Sequence, residues 1–116
     1  MKLRDIVSQV LIDPQKLTGY ALNPNHDDGY DKSILFQRHL GITRENYELL
    51  LSQIQEKVMD TEAISLGSNE YGERYRVDIL VIGVKLEQQE IVRTGWIVKP
   101  GKNIAQLTTL YIPRRK

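Results

Sequence analysis

The chain has 116 residues and a mass of 13.4 kDa, one domain's worth, so a second globular unit does not fit. Hydrophobic residues make up 41% and charged residues 27%, a balance that excludes wholesale disorder. Net charge is only +1, and cysteine is absent, which excludes disulfides, thiolate metal sites and cysteine nucleophiles.

The N-terminus, MKLRDIVSQV, carries Asp5 and no small-residue cleavage site, so a signal peptide is not expected. No apolar run approaches the ~20 residues that span a bilayer. A cytoplasmic protein is the expectation. Leu3, Ile6, Val7, Val10 and Leu11 recur at helical spacing and predict a short first helix, with a strand near Val10–Ile12 as the rival. Asp13-Pro14 is a helix start, Asp as N-cap and Pro in the first turn, opening a short helix to about Tyr20. LNPNHDDGYDK, residues 22–32, is rich in Asn, Pro, Asp and Gly and reads as a loop. Asp31 then caps a helix from Lys32 to Leu40, which Gly41 ends. Thr43 caps the longest helix, to about Met59, with Tyr47, Leu50, Leu51, Ile54 and Val58 as its apolar stripe.

Near Thr61 the period changes from helical to two. Ala63–Leu66 is a short strand and Asn69–Gly72 a turn. Tyr75, Val77, Ile79 and Val81 alternate with Arg74, Arg76 and Asp78 in a half-buried strand ending at Gly83. Glu90–Lys99 is the next strand, Pro100-Gly101 turns the chain, and Leu107–Ile112 is the last strand, stopped by Pro113. The fold class is therefore α+β: N-terminal helices on one face of a roughly four-stranded antiparallel meander. It is read as a single domain, 1–116, with a core over about 13–112 and a basic tail at 113–116. Trp96 alternates in register with Val92 and Val98, so it belongs to the core.

Charge is unevenly placed. From Arg93 to Lys116 there are six basic residues and no acidic ones. That segment is a candidate anion-binding surface, with Arg93, Lys99 and Lys102 as nucleic-acid contacts. Arg114, Arg115 and Lys116 also fit a solvated tail. With Val92, Trp96 and Val98 inward, Arg93 and Gly95 point to the open face, and Thr109 and Tyr111 join them from the last strand. An arginine, a hydroxyl and a phenol suit a phosphodiester, and Gly95 leaves room for a backbone to approach. A polar outer face with ordinary cross-strand pairs is the alternative. His39 sits inside a helix and reads as structural. His26 lies in a punctuated loop, where an imidazole titrating near neutral pH suits proton transfer. With Asp27, Asp28 and Asp31 it matches no metal-ligand spacing, so no metal and no cofactor are expected.

The segments KLTGYALNPNHDDGYDKSILFQRHLGIT, YGERYRVDI and VRTGWIVKPGKNIAQLTTLYI resemble an uncharacterised bacterial domain family of unknown function, over about Asp13 to Ile112. Genes of that family sit beside genes for very small proteins or in polymorphic-toxin settings. The resemblance therefore implies a small cognate, antitoxin-like partner. More remotely, helices followed by an antiparallel meander resemble the Barnase–EndoU–colicin–RelE-like ribonucleases. That resemblance implies metal-independent RNA cleavage by a toxin. His26 would be the general base or acid, Lys32 and Arg93 the phosphate electrophiles, and Thr109 and Tyr111 would orient phosphate or base. Tyr111 or Lys32 would serve as the second proton carrier. A non-catalytic binding module, an antitoxin, immunity or accessory protein, is the alternative.

Overall fold

The computed structural model describes residues 1–26 and 30–113. The loop carboxylates Asp27 and Asp28 and the basic tail residues Arg114, Arg115 and Lys116 lie outside them. The fold is α+β, with one five-stranded sheet. The strands are β1 (Gln9–Leu11), β2 (Ala63–Asn69), β3 (Gly72–Ile82), β4 (Gln89–Val98) and β5 (Ile104–Tyr111), in spatial order β1-β5-β4-β3-β2. From β2 to β5 the sheet is the expected antiparallel meander.

The fifth strand is a correction. The N-terminal segment is not a helix but a 3-10 turn, Leu3–Asp5, followed by β1, the rival strand reading near Val10–Ile12, which pairs parallel to β5. Leu3 and Val7 are buried and Val10 packs against the core, so the apolar spacing is real. It served a turn and an edge strand, because three residues of β5 offered β1 a free ladder.

Two helices cover one face. α1 (Tyr30–Leu40) starts two residues earlier than its polar flank suggests and ends at Gly41, which has φ 66°. Thr43 opens a 3-10 turn through a reciprocal capping box with Asn46, and α2 (Glu48–Lys57) follows. The turn shortens α2, so α1 is the longer helix by one residue. Of the expected stripe, Leu50, Ile54 and Val58 are fully buried, and Tyr47 and Leu51 pack at its margin. They meet the inward row of β3, Tyr75, Val77, Ile79 and Val81, in one core.

Trp96 is 1% exposed and belongs to that core. Its indole N–H donates to Thr94 Oγ1 (2.8 Å), whose hydroxyl donates to the Val77 carbonyl (2.6 Å). Both buried polar groups are thereby satisfied. None of the described helices is long and apolar enough to cross a membrane.

Candidate phosphodiester site

The site is assembled where the sheet is incomplete. β1 pairs with Ile104, Ala105 and Gln106, and among the described residues the second half of β5 has no strand partner on that side. A bulge in β5 interrupts its pairing with β4: Gly95 faces Thr109 while Trp96 faces Leu107. Thr108 is the extra residue, and a bulge re-aims the side chains around it. The cause is visible at Gly95. A Cβ there would stand 2.9 Å from Thr109 Cγ2 and 3.2 Å from Thr108 Oγ1. The space that sequence reasoning assigned to an approaching ligand is occupied by these two threonines. That corrects the role of Gly95.

Tyr20 closes the site from the other side. After Asp13-Pro14 the expected helix forms only as a turn and then widens. Residues Leu17–Ala21 are π-helical, with the Leu22 N–H donating to the Leu17 carbonyl five residues back (2.8 Å). Leu17 and Ala21 are buried by this widening, and Tyr20 packs against the core margin.

The Asn-Pro-Asn-His loop folds on itself. Asn23 Oδ1 accepts the Asn25 N–H (2.9 Å), and the His26 N–H donates to the Asn23 carbonyl (3.3 Å). This turn sets the imidazole edge-on to the Tyr20 ring, centroids 5.0 Å apart at 88°.

Lys32, in the first turn of α1, joins the two halves. Its Nζ donates to the Tyr20 hydroxyl (2.5 Å) and lies 3.5 Å from Thr109 Oγ1. It stands 4.4 Å from the Tyr20 ring centroid and 5.3 Å from that of Tyr111. No carboxylate among the described residues forms an ion pair with it. An ammonium cannot accept a hydrogen bond, so Lys32 is no cap for the helix start.

On the sheet, Arg93 pairs in register with Tyr111 on one side and Asp78 on the other. Its guanidinium grips the Asp78 carboxylate with both ends, Nε to Oδ1 (3.0 Å) and Nη2 to Oδ2 (3.1 Å). The Asp78 hydrogen bonds, and then the Tyr111 hydroxyl, raise the Arg93 pKa above its ordinary value.

Five sequence-derived candidates, His26, Lys32, Thr109, Tyr111 and Arg93, therefore form one linked series of contacts. The open cleft beside it is about 450 Å³ and is lined by Asp13, Lys16, Tyr20, His26, Thr108 and Thr109. Lys99 and Lys102 are not part of it. They flank the β4–β5 turn and line a separate hollow with Leu11, Ile104 and Gln106. Ile104 is five residues from Thr109, about 17 Å of extended strand.

His39 pairs with Glu90 (2.8 Å), a bond from helix to sheet that fits its structural reading. Sequence reasoning missed Tyr20 and Asp78. Tyr20 is six residues before His26, but only the π-helical turn aims it there. Asp78 shows itself only through its cross-strand register. Among the described residues no three histidine or carboxylate side chains gather as a metal ion would require.

No curated protein and no solved structure matches the chain. One family does, a domain of unknown function, DUF6883, over residues 2–114, and the chain belongs to that family.

Proposed function

We propose that this chain is a metal-independent endoribonuclease that cleaves RNA in the cleft lined by His26 and Thr109, beside Lys32, and acts as a toxin. The observation that carries the reading is Lys32: an ammonium without a carboxylate partner among the described residues, held against two hydroxyls and two aromatic rings. It stands one ring away from a loop imidazole. A partly buried cation with donors to spare is suited to a phosphate oxygen.

RNA carries its own nucleophile. In this reading His26 takes the 2′-hydroxyl proton, and the 2′-oxygen attacks phosphorus. Lys32 and Thr109 stabilise the added charge. The bond to the 5′-oxygen breaks, and that oxygen takes a proton from Tyr111. The products are a 2′,3′-cyclic phosphate and a 5′-hydroxyl. Because Arg93 is already gripped by Asp78, its part shifts from direct electrophile to holding Tyr111.

A small cognate protein would neutralise the toxin. The alternative, a non-catalytic binding module, draws on the outer edge of β2, where Ile64 and Leu66 are about half exposed and suit a protein partner.

The test is cleavage of RNA by the purified chain, in EDTA and in magnesium, with end-group analysis. His26→Ala should slow cleavage by ~10²–10⁴, and Lys32→Ala by on the order of 10²–10³. Both should also abolish growth arrest on expression. A folded His26→Ala variant that still arrests growth removes the proton-transfer role and leaves the binding module ahead.

A further inference from the structure

We propose that the open face of the sheet holds a second phosphate subsite, built on Arg76 beside Arg93, which takes a phosphate neighbouring the one cleaved. The substrate would then be an RNA strand rather than a mononucleotide. This rests on reading the His26 cleft as a phosphodiester site.

Arg76 is two residues before Asp78 on β3, so both side chains leave the same face of the sheet. They compete for little. Both Asp78 oxygens are taken by Arg93. Arg76 Nε lies 3.9 Å from Asp78 Oδ1, beyond hydrogen-bond reach. That Nε is out of solvent and has no hydrogen-bond partner among the described residues. The cross-strand neighbours of Arg76 are Ile64, whose side chain accepts no hydrogen bond, and Gly95, which has no side chain. Two guanidiniums thus share one carboxylate, Arg93 by hydrogen bonds and Arg76 only as a long ion pair, and the three groups together keep a net positive charge. Arg74 adds another cation two residues away on the same face.

A charged side chain that is about two-thirds buried, with 33% of its surface open, is costly to leave with only a long, shared ion pair. An anion arriving at the open third would match it. The path from the cleft is continuous: Lys32 stands over the Tyr111 ring, Tyr111 faces Arg93, and Arg76 is one diagonal step further. Such a step is about 7–8 Å, comparable with the spacing of successive phosphates along a single strand. Arginine's planar fork fits phosphate oxygens in pairs.

The experiment uses the full chain and a fluorescent trinucleotide of 2′-O-methyl RNA, which binds but cannot be cleaved, with a nucleoside monophosphate as competitor. Arg76→Gln should weaken the trinucleotide about tenfold and reduce the salt slope by about 0.7. Competition by the monophosphate should be unchanged. Arg76→Lys should keep the salt slope, which reports charge, and recover only part of the affinity. Arg38→Gln, a distant exposed arginine of α1, should change nothing.

Equal behaviour of Arg76→Gln and Arg38→Gln overturns the subsite. So does failure of the wild type to bind the trinucleotide at low salt. With an acidic peptide as a second fluorescent probe, Arg76-dependent binding of the peptide alone also overturns it, and would assign the face to a protein. Arg76-dependent binding by a chain that cleaves no RNA would sink the catalytic reading and leave the subsite standing.

Discussion

Lys32 sits where local physics resists it. A cation in the first turn opposes the helix dipole by about 0.3–1 kcal/mol. An aspartate or serine would serve α1 better at that position. What compensates is tertiary: the Tyr20 hydroxyl, the Thr109 hydroxyl and two ring faces. Thr109 can reach it only because residue 95 has no side chain, since a Cβ there would meet Thr109 Cγ2 at 2.9 Å. Gly95→Ala should therefore turn Thr109 away from Lys32 and lower RNA cleavage, with a stability cost of about 1–3 kcal/mol from overpacking. Serine keeps the hydroxyl and lacks the offending methyl. Adding Thr109→Ser to Gly95→Ala should restore cleavage towards that of Thr109→Ser alone. If the double variant stays as impaired as Gly95→Ala, the methyl clash is not the cause. Gly95 was legible in the sequence as an unusual residue in a strand. Its reason was not, because the bulge that brings Thr108 and Thr109 over it arises from pairing two strands out of step.

α2 is held to the sheet by two polar side chains, Gln53 and Lys57, as well as by its apolar stripe. Gln53 is 9% exposed. Its amide donates to the Ile82 carbonyl (2.8 Å), and its oxygen accepts the Ile82 N–H (2.8 Å). The side chain thus imitates a neighbouring strand at the end of β3. Lys57 extends the link, donating to Gln53 Oε1 (3.1 Å) and to the Leu80 carbonyl (2.6 Å). Gln53→Ala leaves both Ile82 groups without these partners and should cost about 1–3 kcal/mol for each buried group left unsatisfied. Chemical denaturation would read this. A midpoint unchanged from wild type would mean that water replaces the amide freely. The apolar stripe of α2 was legible because its period is local. Gln53 interrupts that stripe as a polar residue, and nothing within the helix discloses that β3 needs it. The same limit explains β1. Its partner is about 95 residues away in the chain (Gln9 with Ile104), and only three residues of ladder decide strand over helix. By contrast, the long alternation of β3 and β4 fixes which side chains share a face. The grouping of Arg93, Thr109 and Tyr111 could therefore be read before the structure, and their pairing with Asp78 and Lys32 could not.

At the scale of the whole molecule, the core and the candidate site occupy different parts of the fold. The inward rows of β3, β4 and β5 and the stripe of α2 are closed over Trp96. The cleft lies at the half of β5 that β1 leaves unpaired, against the π-helical turn and the Asn23–His26 loop. The two should respond separately to substitution. Trp96 is fully enclosed, and its indole N–H and the Thr94 hydroxyl form a satisfied pair. Trp96→Ala removes the ring's contacts and leaves a cavity, at a cost of ~3–5 kcal/mol. For a chain of this size that lowers the melting temperature by on the order of 10–20 °C. His26 is half-buried in the loop at the cleft, edge-on to the Tyr20 ring and outside the apolar core. His26→Ala should lower the melting temperature by much less than Trp96→Ala does, since it opens no cavity in the core. Below its own melting transition, the Trp96→Ala protein should keep a large fraction of the wild-type cleavage rate, whereas folded His26→Ala should be slower than wild type by ~10²–10⁴. Cleavage lost at the indole and kept at the imidazole would reverse the assignment. It would move the chemistry from the open edge of β5 to the covered face of the sheet.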